Sequence, residues 1–156
     1  MSAFAKGFVE EPFRASALSV DAAPPRQRSV PATPVTLNPS LVERLEAVRR
    51  HLQENLAEPV SLADLSRVAA LSPSYLVRAF KSYMGMPPHR YLVGLRLARA
   101  QELLVTSSLS ITQIAHRVGF ASPSHFITRF QAACGTTPFR FRREALLEFA
   151  VARTDA

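Results

Sequence analysis

The sequence predicts an all-α chain built around one helix-turn-helix written twice, and three observations carry that expectation. Strand signals are missing: no Asn-Gly or Asp-Gly turn and no alternating run of Val, Ile and Thr occurs. Apolar residues recur at three- and four-residue spacing from Leu41 onward. The third observation is an internal repeat. Ser61 to Leu71 maps on Ser110 to Phe120 with an offset of 49 and, after the inserted Ala121, Ser72 to Tyr91 maps on Ser122 to Phe141 with an offset of 50.

Six of the twelve prolines fall before residue 40, and the run "DAAPPRQRSVPATPVTLNP" has no sustained period, so residues 1–37 are expected to be a flexible, proline-rich extension. Its first 18 residues hold Phe4, Phe8, Val9 and Phe13, the side chains of a short docking helix or of a loosely ordered start. Regularity begins at Asn38, a good N-cap followed by Pro39 at the first helical position. Leu41, Val42, Leu45, Val48 and Leu52 then mark the apolar stripe of a first helix.

Each repeat reads as a short helix, a tight turn and a second helix that starts at a Ser-Pro step, over about 61–84 and about 110–133. In the second copy Ile111, Ile114, Ala115 and Val118 form one face, small Ala115 lets the next helix approach, and Gly119 suits a turn residue with positive φ. Phe126 and Phe130 are the buried face of the helix that follows. The first copy has Ser66 where Ala115 stands and Ala70 where Gly119 stands, and an alanine forced into the left-handed region costs on the order of 1 kcal/mol. Between the copies, Tyr91, Leu92, Leu95, Ala98 and Leu103 share a face, which predicts one long linker helix over about 88–105. At 1.5 Å per residue it is roughly 27 Å long, a strut fit to hold two helices about one DNA turn, roughly 34 Å, apart.

Charge is distributed unevenly. The formal net charge is +7, yet residues 1–40 are almost neutral, whereas Ser72 to Arg143 contains ten basic residues against the single acid Glu102, a local net of +9. So one-sided a stretch repels itself unless an anion is near, which makes nucleic acid the first partner to consider; a solvated basic surface is the plainer account.

Enzymatic chemistry finds no footing. Cys-x-x-Cys, His-Glu-x-x-His and Gly-x-Ser-x-Gly are absent, and the chain has only five glycines with which to build a phosphate-cradling loop. His125 and Cys134 lie nine residues apart, on opposite faces of a helix, and make no dyad. No catalytic residue, metal or cofactor is therefore expected. Cys134 reads as a small buried side chain near a helix end, and a lone cysteine fits a reducing compartment. No apolar run approaches the roughly 20 residues of a membrane span, and the N-terminus lacks the apolar core of a signal peptide, so the expected location is the cytoplasm.

The segments "LSPSYLVRAFKSYMGMPPHRYLVGLRLARAQELL" and "SITQIAHRVGFASPSHFITRFQAACGTTPFRFR", with the closing Gly135, Pro138, Phe141 and Arg142, resemble the DNA-binding region of the AraC/XylS family of bacterial transcription regulators. The resemblance covers about residues 41–143. It implies about seven helices in a DNA-binding domain over 38–156, closed by a C-terminal helix at about 138–150, and a transcription factor that binds double-stranded DNA and contacts RNA polymerase. In that family the ligand-sensing or dimerising domain is usually N-terminal, and the first 40 residues are too short and proline-rich to be one, so no small-molecule site is expected.

Residue roles follow. On the first recognition helix Leu76, Ala79, Phe80 and Tyr83 face inward and leave Ser74, Val77, Arg78 and Lys81 outward. Arg78 has the fork for guanine O6 and N7, and Val77 offers apolar contact to a thymine methyl. The family pattern puts base contacts at Ser74, Val77 and Arg78. On the second helix the outward set is Pro123, Ser124, His125, Thr128 and Arg129, and the expected base contacts are Ser124, His125 and Thr128. Many relatives carry arginine where Thr128 stands and a small residue where Arg129 stands, which assigns Arg129 to phosphate. Further phosphate contacts are expected from the helix starts at Ser72 and Ser122 and from Lys81, Arg90, Arg96, Arg117 and Arg140. Each arginine taken singly is equally accounted for as a solvated charge, and Arg142 also suits a partner for a helix end. Two other readings stay open: a helical protein-interaction adaptor that sets its basic face against acidic protein, and a fragment of a larger sensor-regulator.

Overall fold

The structure is a computed structural model that describes residues 34–154, with side chains through residue 147. The expected extension, including Phe4, Phe8, Val9 and Phe13, lies outside the described residues up to residue 33. Among the described residues there are seven helices and no strand: α1 (Pro39–Glu54), α2 (Leu62–Ala69), α3 (Pro73–Met84), α4 (Pro88–Thr106), α5 (Ile111–Arg117), α6 (Pro123–Cys134) and α7 (Pro138–Thr154). The linker helix and the C-terminal helix both run past their expected ends. The chain divides into two compact units, an N-terminal one of residues 34–55 and 60–92 and a C-terminal one of residues 56–59 and 93 onward.

In the N-terminal unit α1 starts where Asn38 Oδ1 accepts a hydrogen bond from the Leu41 amide at 2.8 Å, with Pro39 needing no such partner. Leu41, Leu45, Val48 and Leu52 are buried along one side of α1, whereas Val42, expected in the same stripe, is half-buried at its margin. A reciprocal capping box starts α2: the Asp64 amide donates to Ser61 Oγ at 3.1 Å and the Ser61 amide to Asp64 Oδ2 at 3.1 Å. This helix ends on Ala70 at φ 50° and ψ 46°, the strained left-handed alanine that the sequence implied. The buried face of α3 is Leu76, Ala79 and Phe80, and Phe80 meets Tyr91 edge-on at 5.7 Å. Tyr83 donates its hydroxyl to Glu46 Oε1 at 2.6 Å, tying α3 to α1. That bond and the Arg49 guanidinium hold the Glu46 carboxyl below its usual range, Arg49 acting more strongly.

The C-terminal unit repeats the plan with aromatic side chains. Its core joins Leu97, Ala100 and Leu104 of α4, Ile114 and Ala115 of α5, Val118 and Phe120 of the turn, and Phe126 and Phe130 of α6. Rings run through it in sequence, Phe120 to Phe126 at 5.3 Å, Phe126 to Phe130 at 5.6 Å and Phe130 to Phe141 at 5.5 Å. The last contact repeats the Phe80–Tyr91 contact of the other unit. A capping box between Ser110 and Gln113 starts α5.

The buried stripe of the linker helix differs from the expected one. Tyr91 and Leu92 are buried as expected, but deeper along α4 the buried residues are Leu97, Ala100 and Leu104, while Leu95, Ala98 and Leu103 are half-buried. One stripe does not describe a helix whose first turn belongs to one core and whose remainder belongs to another.

Candidate nucleic-acid interface

Serine followed by proline places a helix start at residues 73 and 123, and the buried side chains of α3 and α6 then decide which residues face out. Ser74, Arg78 and Lys81 are exposed on α3, as expected of a reading face. Val77 departs from its expected outward position. It is half-buried and lines a pocket of about 210 Å³ with Leu52, Val60, Leu62, Leu65 and Leu92, since it lies on the flank of α3 that packs toward α2 and the start of α4. Ser72 holds the N-cap position without making a side-chain cap hydrogen bond, so the first amides of α3 keep no side-chain acceptor there. Ser122 does cap α6, accepting from the His125 amide at 3.2 Å.

On α6, Ser124, His125, Thr128 and Arg129 are all exposed. Thr128 donates its hydroxyl to the Ser124 carbonyl at 3.0 Å, which leaves its oxygen as an acceptor and its methyl for an apolar contact. Arg129 Nε donates to His125 Nε2 at 3.2 Å, and the His125 ring stands edge-on to Phe120 at 5.7 Å. Arg129 occupies the repeat position of Ala79, which is fully buried. In the N-terminal unit α1 packs against α3, whereas in the C-terminal unit the α6 position equivalent to Ala79 is exposed and holds an arginine.

The residues expected on phosphate divide by their surroundings. Lys81, Arg90 and Arg117 are exposed, and Arg117 sits in the last turn of α5. Arg140 is exposed and pairs with Glu144 at 2.8 Å, a surface ion pair of at most about 1 kcal/mol that a phosphate can displace. Arg96 is engaged elsewhere. Its Nε donates to the Leu56 carbonyl at 2.7 Å and its Nη2 to the Glu58 carbonyl at 2.8 Å, while its guanidinium lies 6.0 Å from the Phe120 ring centroid. Burial lowers its pKa from the usual arginine value. Arg96 thereby fixes residues 56–59 beside the second turn, where a Cβ on Gly119, at φ 90°, would meet the Ala57 carbonyl oxygen at 2.7 Å. Arg142 is likewise structural: its Nε donates to the Leu104 carbonyl at 2.9 Å, closing the last turn of α4.

Tyr75 escaped the sequence reading. It is half-buried on α3 with the Arg78 guanidinium 5.8 Å from its ring centroid, and the signal available for it was an aromatic three residues before an arginine on a helix. Cys134 is half-buried; burial pushes its thiol up from its ordinary value, and Gln101 Nε2 lies 3.1 Å from its sulfur. Among the described residues no three of His, Cys, Asp and Glu are placed to hold a metal ion, and no helix is long and apolar enough to cross a membrane.

Residues 65–144 match the family described as a helix-turn-helix domain. The chain is 38% identical over 108 residues to the transcriptional activator RhaS of Pectobacterium atrosepticum, an alignment covering 69% of this chain and 39% of that protein. Among solved structures it is similar to an AraC-type DNA-binding regulator from Chromobacterium violaceum, with a TM-score of 0.63, 33% identity and coverage of 69% of this chain and 96% of that one. It is also similar to the DNA-binding domain of AdpA in complex with a target DNA, with a TM-score of 0.62, 32% identity and coverage of 65% and 91%. This chain spans about two fifths of the length of the curated relatives it matches.

Proposed function

The chain belongs to the AraC/XylS family of helix-turn-helix regulators, and from that premise we propose that it is a sequence-specific, double-stranded DNA-binding regulator of transcription in which α3 and α6 are the two recognition helices. The observation that carries this reading is the duplication itself. Two copies of one helix-turn-helix each bury an aromatic core beneath a helix whose opposite face exposes serine and a forked cation or its neighbours. A merely structural helical hairpin has no need of that outward pattern twice.

In this reading Ser74 and Arg78 on α3, and Ser124, His125 and Thr128 on α6, contact base edges, with Val77 offering at most the rim of its side chain to a thymine methyl. Ser72, Lys81, Arg90, Arg117, Ser122, Arg129 and Arg140 contact phosphate and set register without reading sequence. Arg96 is left out of that set because its Nε and Nη2 are held by backbone carbonyls and its guanidinium is partly buried. Each helix-turn-helix in this reading takes one major groove, so that one chain reads two successive grooves. The protein is non-enzymatic, acts in the cytoplasm and contacts RNA polymerase, the last of these on the strength of the family alone.

One observation favours a protein-facing role as a second reading. Phe139, Leu146 and Leu147 on α7 are more than half exposed, at 67%, 53% and 58%, an apolar set that DNA does not require.

The test of the main reading is selection of bound duplexes from a random pool at about 0.15 M salt, where non-specific binding is weak. Enrichment of a two-part motif with centres roughly 10 base pairs apart is expected. Binding that enriches nothing and fades as salt rises would transfer the assignment to the protein adaptor.

A further inference from the structure

We infer that the third residue of each recognition helix, Tyr75 in α3 and His125 in α6, positions that helix's exposed arginine for DNA; the inference rests on the DNA-reading function proposed above. The two residues are equivalent in the repeat, and both sit one turn before an arginine, Arg78 and Arg129. Residues three or four apart are neighbours on a helix surface, so the ring and the guanidinium can meet in both helices. They do so by different chemistry.

In α3 the half-buried Tyr75 ring is a fixed platform, and the Arg78 guanidinium lies 5.8 Å from its centroid. An exposed arginine otherwise samples many rotamers, whereas a bidentate contact to guanine needs the fork in one plane. A ring that restricts those rotamers before binding lowers the entropy lost on binding. In α6 the residue at the same step is Thr128, so the arginine comes one position later and is held by a hydrogen bond. Arg129 Nε donates to His125 Nε2 at 3.2 Å. Arginine does not give up its proton, so Nε2 is the acceptor and the imidazole carries its hydrogen on Nδ1. The histidine is in turn steadied edge-on against Phe120 at 5.7 Å. With Nε committed, the two terminal nitrogens of Arg129 remain for phosphate oxygens.

The experiment uses the full chain and the duplex that the wild type enriches from a random pool, comparing Tyr75→Ala, Tyr75→Leu, Tyr75→Phe and Arg78→Ala, with thermal unfolding to confirm that each variant folds. Tyr75→Leu keeps packing volume but removes the ring face, which separates positioning from folding. Both it and Tyr75→Ala are expected to lower discrimination about two- to fivefold at the base pair whose preference Arg78→Ala flattens, the size of an exposed cation–π contact. Tyr75→Phe should preserve it, and Tyr75→Leu should add nothing once Arg78 is alanine. On α6, His125→Ala and Arg129→Ala together should lower affinity by less than the product of their separate effects. The inference is overturned if Tyr75→Leu weakens all sequences equally, if Tyr75→Phe loses as much as Tyr75→Leu, or if the α6 pair is multiplicative. A wild type that enriches no motif would instead overturn the DNA-reading function, and this inference with it.

Discussion

Between its two helices the N-terminal unit turns on Ala70 at φ 50°, and the C-terminal unit turns on Gly119 at φ 90°. Residues 56–59 account for the difference. Beside Gly119 the Ala57 carbonyl, fixed by the Arg96 hydrogen bonds to its neighbours, leaves no room for a Cβ. Ala70 carries its Cβ at the cost of a left-handed backbone. Below the turns the units diverge again. Leu71, Leu76 and Phe80 occupy the repeat positions of Phe120, Phe126 and Phe130; the N-terminal unit ties α1 to α3 through the Tyr83–Glu46 hydrogen bond, and the C-terminal unit packs Leu97, Ala100 and Leu104 of α4 against a core run through by a chain of rings. One helix-turn-helix plan thus stands on two supports, one with a polar tie between its helices and the other with a continuous row of aromatic rings.

Substitutions at equivalent positions should expose that asymmetry. Phe130→Ala is expected to cost about 3 to 5 kcal/mol, and Phe80→Ala the lower end of that range because Phe80 has one ring neighbour among the described contacts and Phe130 has two. Denaturant unfolding with hydrogen exchange, resolved by unit, reads this; equal losses would erase the distinction. Gly119→Ala should destabilise by roughly 2 kcal/mol or more, since the left-handed penalty adds to a contact with backbone that Arg96 prevents from yielding.

Tyr83→Phe should remove about 1 kcal/mol at neutral pH from the N-terminal unit alone. Glu46 has its folded pKa depressed, so its contribution is fully present above the unfolded carboxyl value of about 4.3 and is lost as pH falls through the lower folded value. Urea midpoints of wild type and Tyr83→Phe should therefore converge as pH falls through that depressed value, and a gap that persists once the carboxyl is protonated would assign the loss to packing. The smallest effect is a gain. Ala70→Gly relieves the left-handed strain, offset in part by glycine's extra unfolded freedom, for a net stabilisation of about 0.5 kcal/mol read as a raised melting temperature.

Local features were legible in the sequence because local chemistry makes them. Asn38 announced a cap, Phe80, Phe126 and Phe130 announced cores through their spacing, and the repeat exposed Ala70 as strained. What escaped depends on partners far along the chain. Arg96 reads as a surface cation until the carbonyls of Leu56 and Glu58, about forty residues earlier, are found against it. Val77 reads as outward, yet it is half-buried and lines a pocket with Leu52, Leu65 and Leu92. The stripe of α4 shifted from Leu95 to Leu97 because one helix contributes to two cores, which a single period does not encode. Ser72 and Ser122 look alike in sequence, and only the second makes its cap bond.

The central claim is that each unit reads its own half of a DNA site. The most direct measurement is the affinity of wild type and Arg78→Ala for the enriched duplex with one half scrambled at a time. The account predicts that Arg78→Ala costs about 1 to 3 kcal/mol while the half read by α3 is intact and almost nothing once that half is scrambled, whatever the state of the other half. An equal loss on both scrambled duplexes would make Arg78 a phosphate contact and would contradict the assignment of α3 as a reader.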